Sequence, residues 1–149
     1  MKKTGLILSI VFILFASSSN AQDYKMGLGI RLSSHPAIVN NSISFKYFFT
    51  EKTAAEALFS VEKPFALGLL VEQHNPFAAS SFKYFYGAGA FAAFSGDKTV
   101  GLQGVLGLDY KLPTIPFNLS VDWKPELTLA NQVSFEPAAL GLSARFTFK

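Results

Sequence analysis

Between Val100 and Lys124 apolar and polar residues alternate regularly enough to define two strands. Leu102, Leu106, Leu108, Tyr110 and Leu112 share one parity, and Gly101, Gln103, Gly107, Asp109 and Lys111 share the other. Phe117, Leu119, Val121 and Trp123 then alternate with Asn118, Ser120, Asp122 and Lys124. Period 2 is the pattern of a strand that sees a different medium on each face. The connection 112–116 holds two prolines, which fix the backbone and donate nothing to a ladder, so the pair reads as a hairpin. Its polar parity mixes glycine with both signs of charge, as a crowded interior requires, whereas the outside of a soluble barrel would carry mostly long charged side chains. The apolar parity is continuous and has Tyr110 and Trp123 toward strand ends, where amphipathic rings suit a membrane–water boundary. An apolar outside and a polar inside are expected.

The same alternation recurs along the chain. Tyr24, Met26, Leu28, Ile30 and Leu32 oppose Lys25, Gly27, Gly29 and Arg31. Ile43, Phe45, Tyr47 and Phe49 oppose Ser42, Ser44 and Lys46, while Phe48 breaks the polar parity and is expected to fill space inside. Ala55, Ala57, Phe59 and Val61 oppose Glu56, Leu58, Ser60 and Glu62, and Phe65, Leu67, Leu69 and Val71 oppose Ala66, Gly68, Leu70 and Glu72. A fifth strand sets Phe82, Tyr84, Tyr86, Ala88, Ala90 and Ala92 against Lys83, Phe85, Gly87, Gly89 and Phe91. The last sets Ala138, Leu140, Leu142, Ala144, Phe146 and Phe148 against Gly141, Ser143, Arg145 and Thr147. With the opening hairpin these make eight strands and no helix, an all-β, eight-stranded antiparallel up-and-down transmembrane β-barrel. Gly87 and Gly89 are expected to let the wall bend or to leave room for Phe85 and Phe91.

An even strand count puts both termini at one end, taken as periplasmic. Connections near 33–41, 62–64, 95–99 and 129–137 then face outward, and those near 50–53, 73–81 and 112–116 face inward. The 73–81 connection is long for a periplasmic turn, so either the third and fourth strands run farther than drawn or one boundary is misplaced.

Composition adds a destination. Lys2-Lys3, an apolar run from Gly5 to Ala16 and Ser-Ser-Ser-Asn-Ala before Gln22 form a secretory signal peptide over 1–21, with cleavage expected after Ala21. The apolar run is about 12 residues against the roughly 20 that span hydrocarbon. The mature domain is then 22–149, and losing Lys2 and Lys3 takes the formal charge from +3 to about +1. There is no cysteine, hence no lipid attachment point and no disulfide. Positive residues are dispersed singly, so nucleic acid is not an expected partner. No second apolar segment of about 18 residues follows, which leaves strands as the means of crossing a bilayer.

Eight strands enclose an interior just wide enough for side chains or one small ligand. Inward parity supplies Lys25, Arg31, Lys46, Lys83, Lys111, Lys124 and Arg145 against Glu56, Glu62, Glu72, Asp109 and Asp122, with Glu126 continuing the series. Charges so nearly balanced predict a lumen filled by ion pairs and not a porin's channel. On the outer parity Tyr24, Tyr47, Tyr84, Tyr86, Tyr110, Trp123 and Phe148 are the expected membrane-interface aromatics. No catalytic, cofactor-binding or metal-ligating residues are expected. His35-Pro36-Ala37 and His74-Asn75-Pro76 lack a serine two residues on, both histidines fall in connections, and Asp109 and Asp122 each have a lysine two positions along the same face. Gly27-x-Gly29 and Gly87-x-Gly89 are strand glycines, since no helix follows to present its N-terminus to phosphate. For recognition there remain the outward loops, with His35, Asn40, Asn41, Asp97, Lys98, Asn131 and Gln132.

With this alternation and the closing Ala144-Arg-Phe-Thr-Phe148, the chain resembles small outer-membrane β-barrels of the OmpA-transmembrane-domain and OmpX type. Tyr86-Gly-Ala-Gly-Ala90, Gly107-Leu-Asp-Tyr-Lys111 and the segment from Ile115 to Pro125 are similar to segments of such barrels in Bacteroidota-like outer membranes. The resemblance implies export and insertion by the outer-membrane barrel assembly machinery, which in such families reads a final strand ending in an aromatic. Here Lys149 follows Phe148. It further implies outer-membrane lipid as first partner and a structural or interaction role. Two other classes remain: a lipid-modifying barrel enzyme, which needs an apolar cavity opening sideways, and a secreted lipocalin-like barrel, which needs the apolar parity inside.

Overall fold

The computed structural model describes residues 24–34, 37–77, 79–130 and 132–149; the expected signal peptide lies outside the described residues. Ten strands follow in order: β1 Met26–Ser33, β2 Ser42–Phe48, β3 Thr53–Ser60, β4 Ala66–Phe77, β5 Ala79–Ala93, β6 Thr99–Lys111, β7 Phe117–Trp123, β8 Glu126–Thr128, β9 Ser134–Glu136 and β10 Leu140–Phe148. All pair antiparallel in one sheet of order β5-β4-β3-β2-β1-β10-β7-β6, which the pairing of β5 with β6 closes. The chain is a closed eight-stranded barrel, with no helix among the described residues. No helix there is long and apolar enough to cross a membrane.

The two surplus strands are continuations of wall strands. β6 pairs Leu106 with Trp123 of β7 and Gln103 with Glu126 of β8, one register carried across Lys124 and Pro125. The break is chemical. Pro125 has no N–H to donate, yet its carbonyl still accepts from the Gly104 amide at 3.0 Å. β9 and β10 likewise make one wall strand, whose register moves by one residue between the pairs Glu126–Glu136 and Trp123–Leu140.

Two expected connections shorten accordingly. That over 129–137 loses Ser134–Glu136 to pairing with β8. That over 73–81 shrinks to a tight hairpin, because the inward series Leu70, Glu72, His74 simply continues, and Pro76 sits beside a register shift near the hairpin's end. The fourth strand is thus longer than its proline suggests. The start of β1, the end of β10 and the turns 49–52 and 112–116 share the lower end of the barrel with the β4–β5 turn. Connections 34–41, 61–65, 94–98 and 129–133 share the upper end.

Burial alternates as period 2 requires. In β7, Asn118, Ser120 and Asp122 are buried while Leu119, Val121 and Trp123 are exposed. Ile30, Leu69, Val71 and Leu142 are 55%, 56%, 60% and 59% exposed, so the apolar parity is the outer surface. A lipocalin-like arrangement, which needs that parity inside, is not the one this chain adopts. Aromatics gather near the lower ends of six wall strands: Tyr47, Phe77, Phe82, Tyr110, Phe117 and Phe148. Ring centroids lie 5.8 Å apart for Phe77 and Phe82, 5.9 Å for Phe82 and Tyr110, and 4.9 Å for Phe146 and Phe148. Phe59, Phe65, Phe94 and Phe135 are exposed toward the upper end.

Inside, glycine makes room for large neighbours. Phe91 faces Gly101 and Phe85 faces Gly107 across β5 and β6, and a Cβ on either glycine would come within 2.5 or 2.6 Å of the facing ring. The space for these rings therefore comes from β6. At Gly87 and Gly89 no ring fills the space; there the β4 backbone comes close, and a Cβ would collide with the Val71 and Leu69 carbonyls. Gly107→Val is expected to lose about 1–3 kcal/mol through overpacking against Phe85. Adding Phe85→Ala removes the ring contact and leaves that with the Val121 carbonyl at 2.5 Å, so the double variant should lose less than the sum of the singles in denaturant unfolding. Strict additivity would show that the glycine has no such role.

Candidate functional site

The site is the lumen, and two arginines crossing glycine gaps organise it. Arg145 on β10 stands between Asn118 of β7 and Gly29 of β1, and Gly29 in turn pairs with Ser44 of β2. With no side chain on Gly29, the guanidinium spans the gap: Nε donates to Ser44 Oγ at 2.6 Å, and Nη1 donates to Ser120 Oγ at 2.8 Å and Asn118 Oδ1 at 3.3 Å. Its Nη2 pairs with Glu56 of β3. Glu56 lies directly across from Lys46, whose Nζ is 3.6 Å from Glu56 and 2.7 Å from Glu72 of β4. Every one of these side chains is buried.

The second arginine works higher in the barrel. Ser33 of β1, Gly141 of β10 and Asp122 of β7 lie side by side, and Arg31 reaches over Gly141 to chelate Asp122, Nη2 to Oδ1 at 2.6 Å and Nε to Oδ2 at 3.1 Å. This two-pronged geometry is the strong form of a buried ion pair. A Cβ at Gly141 would strike the guanidinium. Nearby Lys124 pairs with Glu126 and donates to Gln103 Oε1 at 3.3 Å. Gln103 passes its own amide protons to the Leu69 and Ala90 carbonyls at 3.3 and 3.2 Å.

Of the residues expected in the lumen network, Arg31, Lys46, Glu56, Glu72, Asp109, Asp122, Lys124 and Arg145 are buried there, and Glu126 joins them. Lys83 is half-buried opposite Asp109 in register, with its ammonium 5.9 Å from the centre of the Phe48 ring. The other three belong elsewhere. Lys25 is exposed, 5.7 Å from the centre of the Tyr47 ring at the lower rim, because the chain bends there before β1 begins. Glu62 is exposed past the end of β3, accepting from Asn41 at 3.0 Å. Lys111 is half-exposed and caps its own turn, donating to the Leu112 and Ile115 carbonyls at 2.7 and 3.0 Å.

The aromatics divide similarly. Tyr84, Tyr86, Tyr110, Trp123 and Phe148 are exposed on the outer surface, and Tyr47 is half-buried. Tyr24 is not an outer aromatic. It lies buried in the lower lumen, edge-on to Phe48 at 5.2 Å with its hydroxyl 3.5 Å from Asp109, because the bend at Lys25 reverses its parity. Phe48 fills the interior, as its place in the alternation predicts. His74, assigned to a connection by sequence, is instead a buried β4 residue: it sits 4.9 Å from both Phe48 and Phe85, and Nε2 is 2.8 Å from Glu72. The uninterrupted inward series from Leu70 was the signal for it. His35 and Asn131 lie outside the described residues.

The chain's own side chains occupy the lumen toward both ends. At the lower end a cavity of about 30 Å³, bounded by Tyr24, Phe48, Lys83 and Asp109, has room for about one water. At the upper end the β1–β2 connection folds in: Val39 is fully buried among Leu58, Leu70, Phe85, Phe91 and Val105. The Glu126 carboxylate holds this segment by accepting the Ile38 and Val39 amides at 2.6 and 3.1 Å. This plug was not foreseen from the loop's composition. The chain matches no protein-family model, no curated protein and no solved structure.

Proposed function

We propose that this chain is a small outer-membrane β-barrel of the OmpA-transmembrane-domain and OmpX type, with a structural or interaction role and no catalytic one. One observation carries it: the closed barrel turns Leu28, Ile30, Leu69, Val71, Leu108 and Leu142 outward, with aromatics toward both ends of that belt. A barrel in lipid must satisfy every backbone N–H and C=O within its own wall, since an unpaired group in hydrocarbon costs several kcal/mol. Closure does this without an edge. The paired interior charges suit a sealed lumen and not a conducting one.

Outer-membrane lipid is then the first partner. Residues 1–21 would direct export, and the final strand ending in Phe148 would present itself to the barrel assembly machinery. Fractionation followed by electrophoresis of unboiled and boiled samples tests the assignment: recovery in the outer membrane with heat-modifiable migration is expected, and recovery as soluble periplasmic protein overturns it. Leu69→Arg gives a quantitative arm. On the outer face it should cost about 2–4 kcal/mol of folding into a bilayer if it lies near the midplane. A solvent-exposed wall would tolerate the arginine almost without loss.

A further inference from the structure

The upper lumen has two unlike walls. One is apolar, formed by Leu58, Leu70, Phe91 and Val105, and it receives Val39 from the infolded connection. The other is polar and carries unpartnered groups. Ser42 of β2 and Ser143 of β10 flank Arg31 in register on either side, and all three are at least nine-tenths buried. Arg31 Nη1, Ser42 Oγ and Ser143 Oγ have no hydrogen-bond partner. Buried polar atoms are almost always paired, so three in one row across adjacent strands mark a place that expects an acceptor. Below them the layer of Lys46, Glu56 and Arg145 shuts the barrel.

We propose that the upper lumen is a blind binding pocket for a small amphipathic carboxylate. Its short aliphatic tail takes the position that Val39 occupies, and its carboxylate accepts from Ser42, Ser143 and Nη1 of Arg31. The plug is then an internal competitor, held in place by Glu126 and displaced by the ligand. Arg31 keeps its chelate with Asp122 through Nε and Nη2, so the ligand meets the one nitrogen left over. Once the plug is displaced the pocket opens at the end bearing the longer connections, and it stands whether or not the barrel sits in a membrane.

Sodium hexanoate is the probe, titrated into the detergent-solubilised full chain while the methyl NMR signals of Leu58, Leu70 and Val105 are followed. Saturable shifts are expected in the wild type. Val39→Ala, which removes the competing side chain, should tighten binding by about tenfold, the order set by losing two buried methyl groups. Ser42→Ala with Ser143→Ala should weaken it by about tenfold or more, through two lost hydrogen bonds, with heat-modifiable migration unchanged. Hexan-1-ol, which has the tail without the charge, should bind more weakly than hexanoate to the wild type and equally well to the wild type and the double serine variant. The proposal is overturned if the shifts do not saturate in the wild type or in Val39→Ala, or if the double serine variant binds hexanoate unchanged.

Discussion

Arg145→Met is expected to lose about 3–5 kcal/mol of folding stability, the range for breaking a buried ion pair by removing one partner. The loss arises less from the missing bonds than from what stays behind. Glu56, Ser44, Asn118 and Ser120 would each lose a donor. Lys46 would then stand alone between two buried carboxylates, Glu56 and Glu72. Denaturant unfolding followed through Trp123, the only tryptophan, reads the change. Arg145→Met with Glu56→Gln should recover part of the loss, because it removes the surplus negative charge. If the double variant is as unstable as the sum of the two singles, the pair is not the centre of the network.

The alternation made the barrel legible because a wall between two media writes its parity into every strand. Leu119, Val121 and Trp123 outside against Asn118, Ser120 and Asp122 inside need no tertiary information. Prolines misled where they removed a donor without ending a strand. Pro125 separates β7 from β8 but leaves their common register against β6 unchanged, and β4 continues through Pro76 to Phe77. Parity also fails where the chain leaves the ladder: a single bend at Lys25 sends Tyr24 inward and its neighbour out.

Which charge meets which was less legible, since the partners are set by gaps and not by adjacency alone. Lys46 and Glu56 face each other across β2 and β3, a pair that register alone predicts. Arg145 and Glu56 do not; β1 and β2 both lie between them, and they meet because Gly29 leaves β1 bare and β2 offers only the short Ser44, whereas Arg31 and Asp122 have one strand between them, left bare by Gly141. An inward glycine across from an inward arginine is thus a cue for a pair that reaches beyond the neighbouring strand. The plug left no comparable cue, since Pro36 and the double asparagine read as an ordinary loop and the carboxylate that fixes Val39 lies 87 residues downstream.

Glu126→Ala tests that plug and is expected to rival Arg145→Met in cost, at about 3–5 kcal/mol for the abandoned Lys124 charge. Lys124 would keep only Gln103 among its partners, and the Ile38 and Val39 amides would lose their acceptor. The two consequences separate. Adding Lys124→Met should restore much of the global stability, because no buried charge then stands unpaired, but it cannot return an acceptor to the two amides. Limited digestion with proteinase K should therefore cut near Val39 in both variants and spare the wild type, while the barrel itself keeps its heat-modifiable migration. Protection of that segment in Glu126→Ala would mean that apolar packing around Val39 holds the plug unaided.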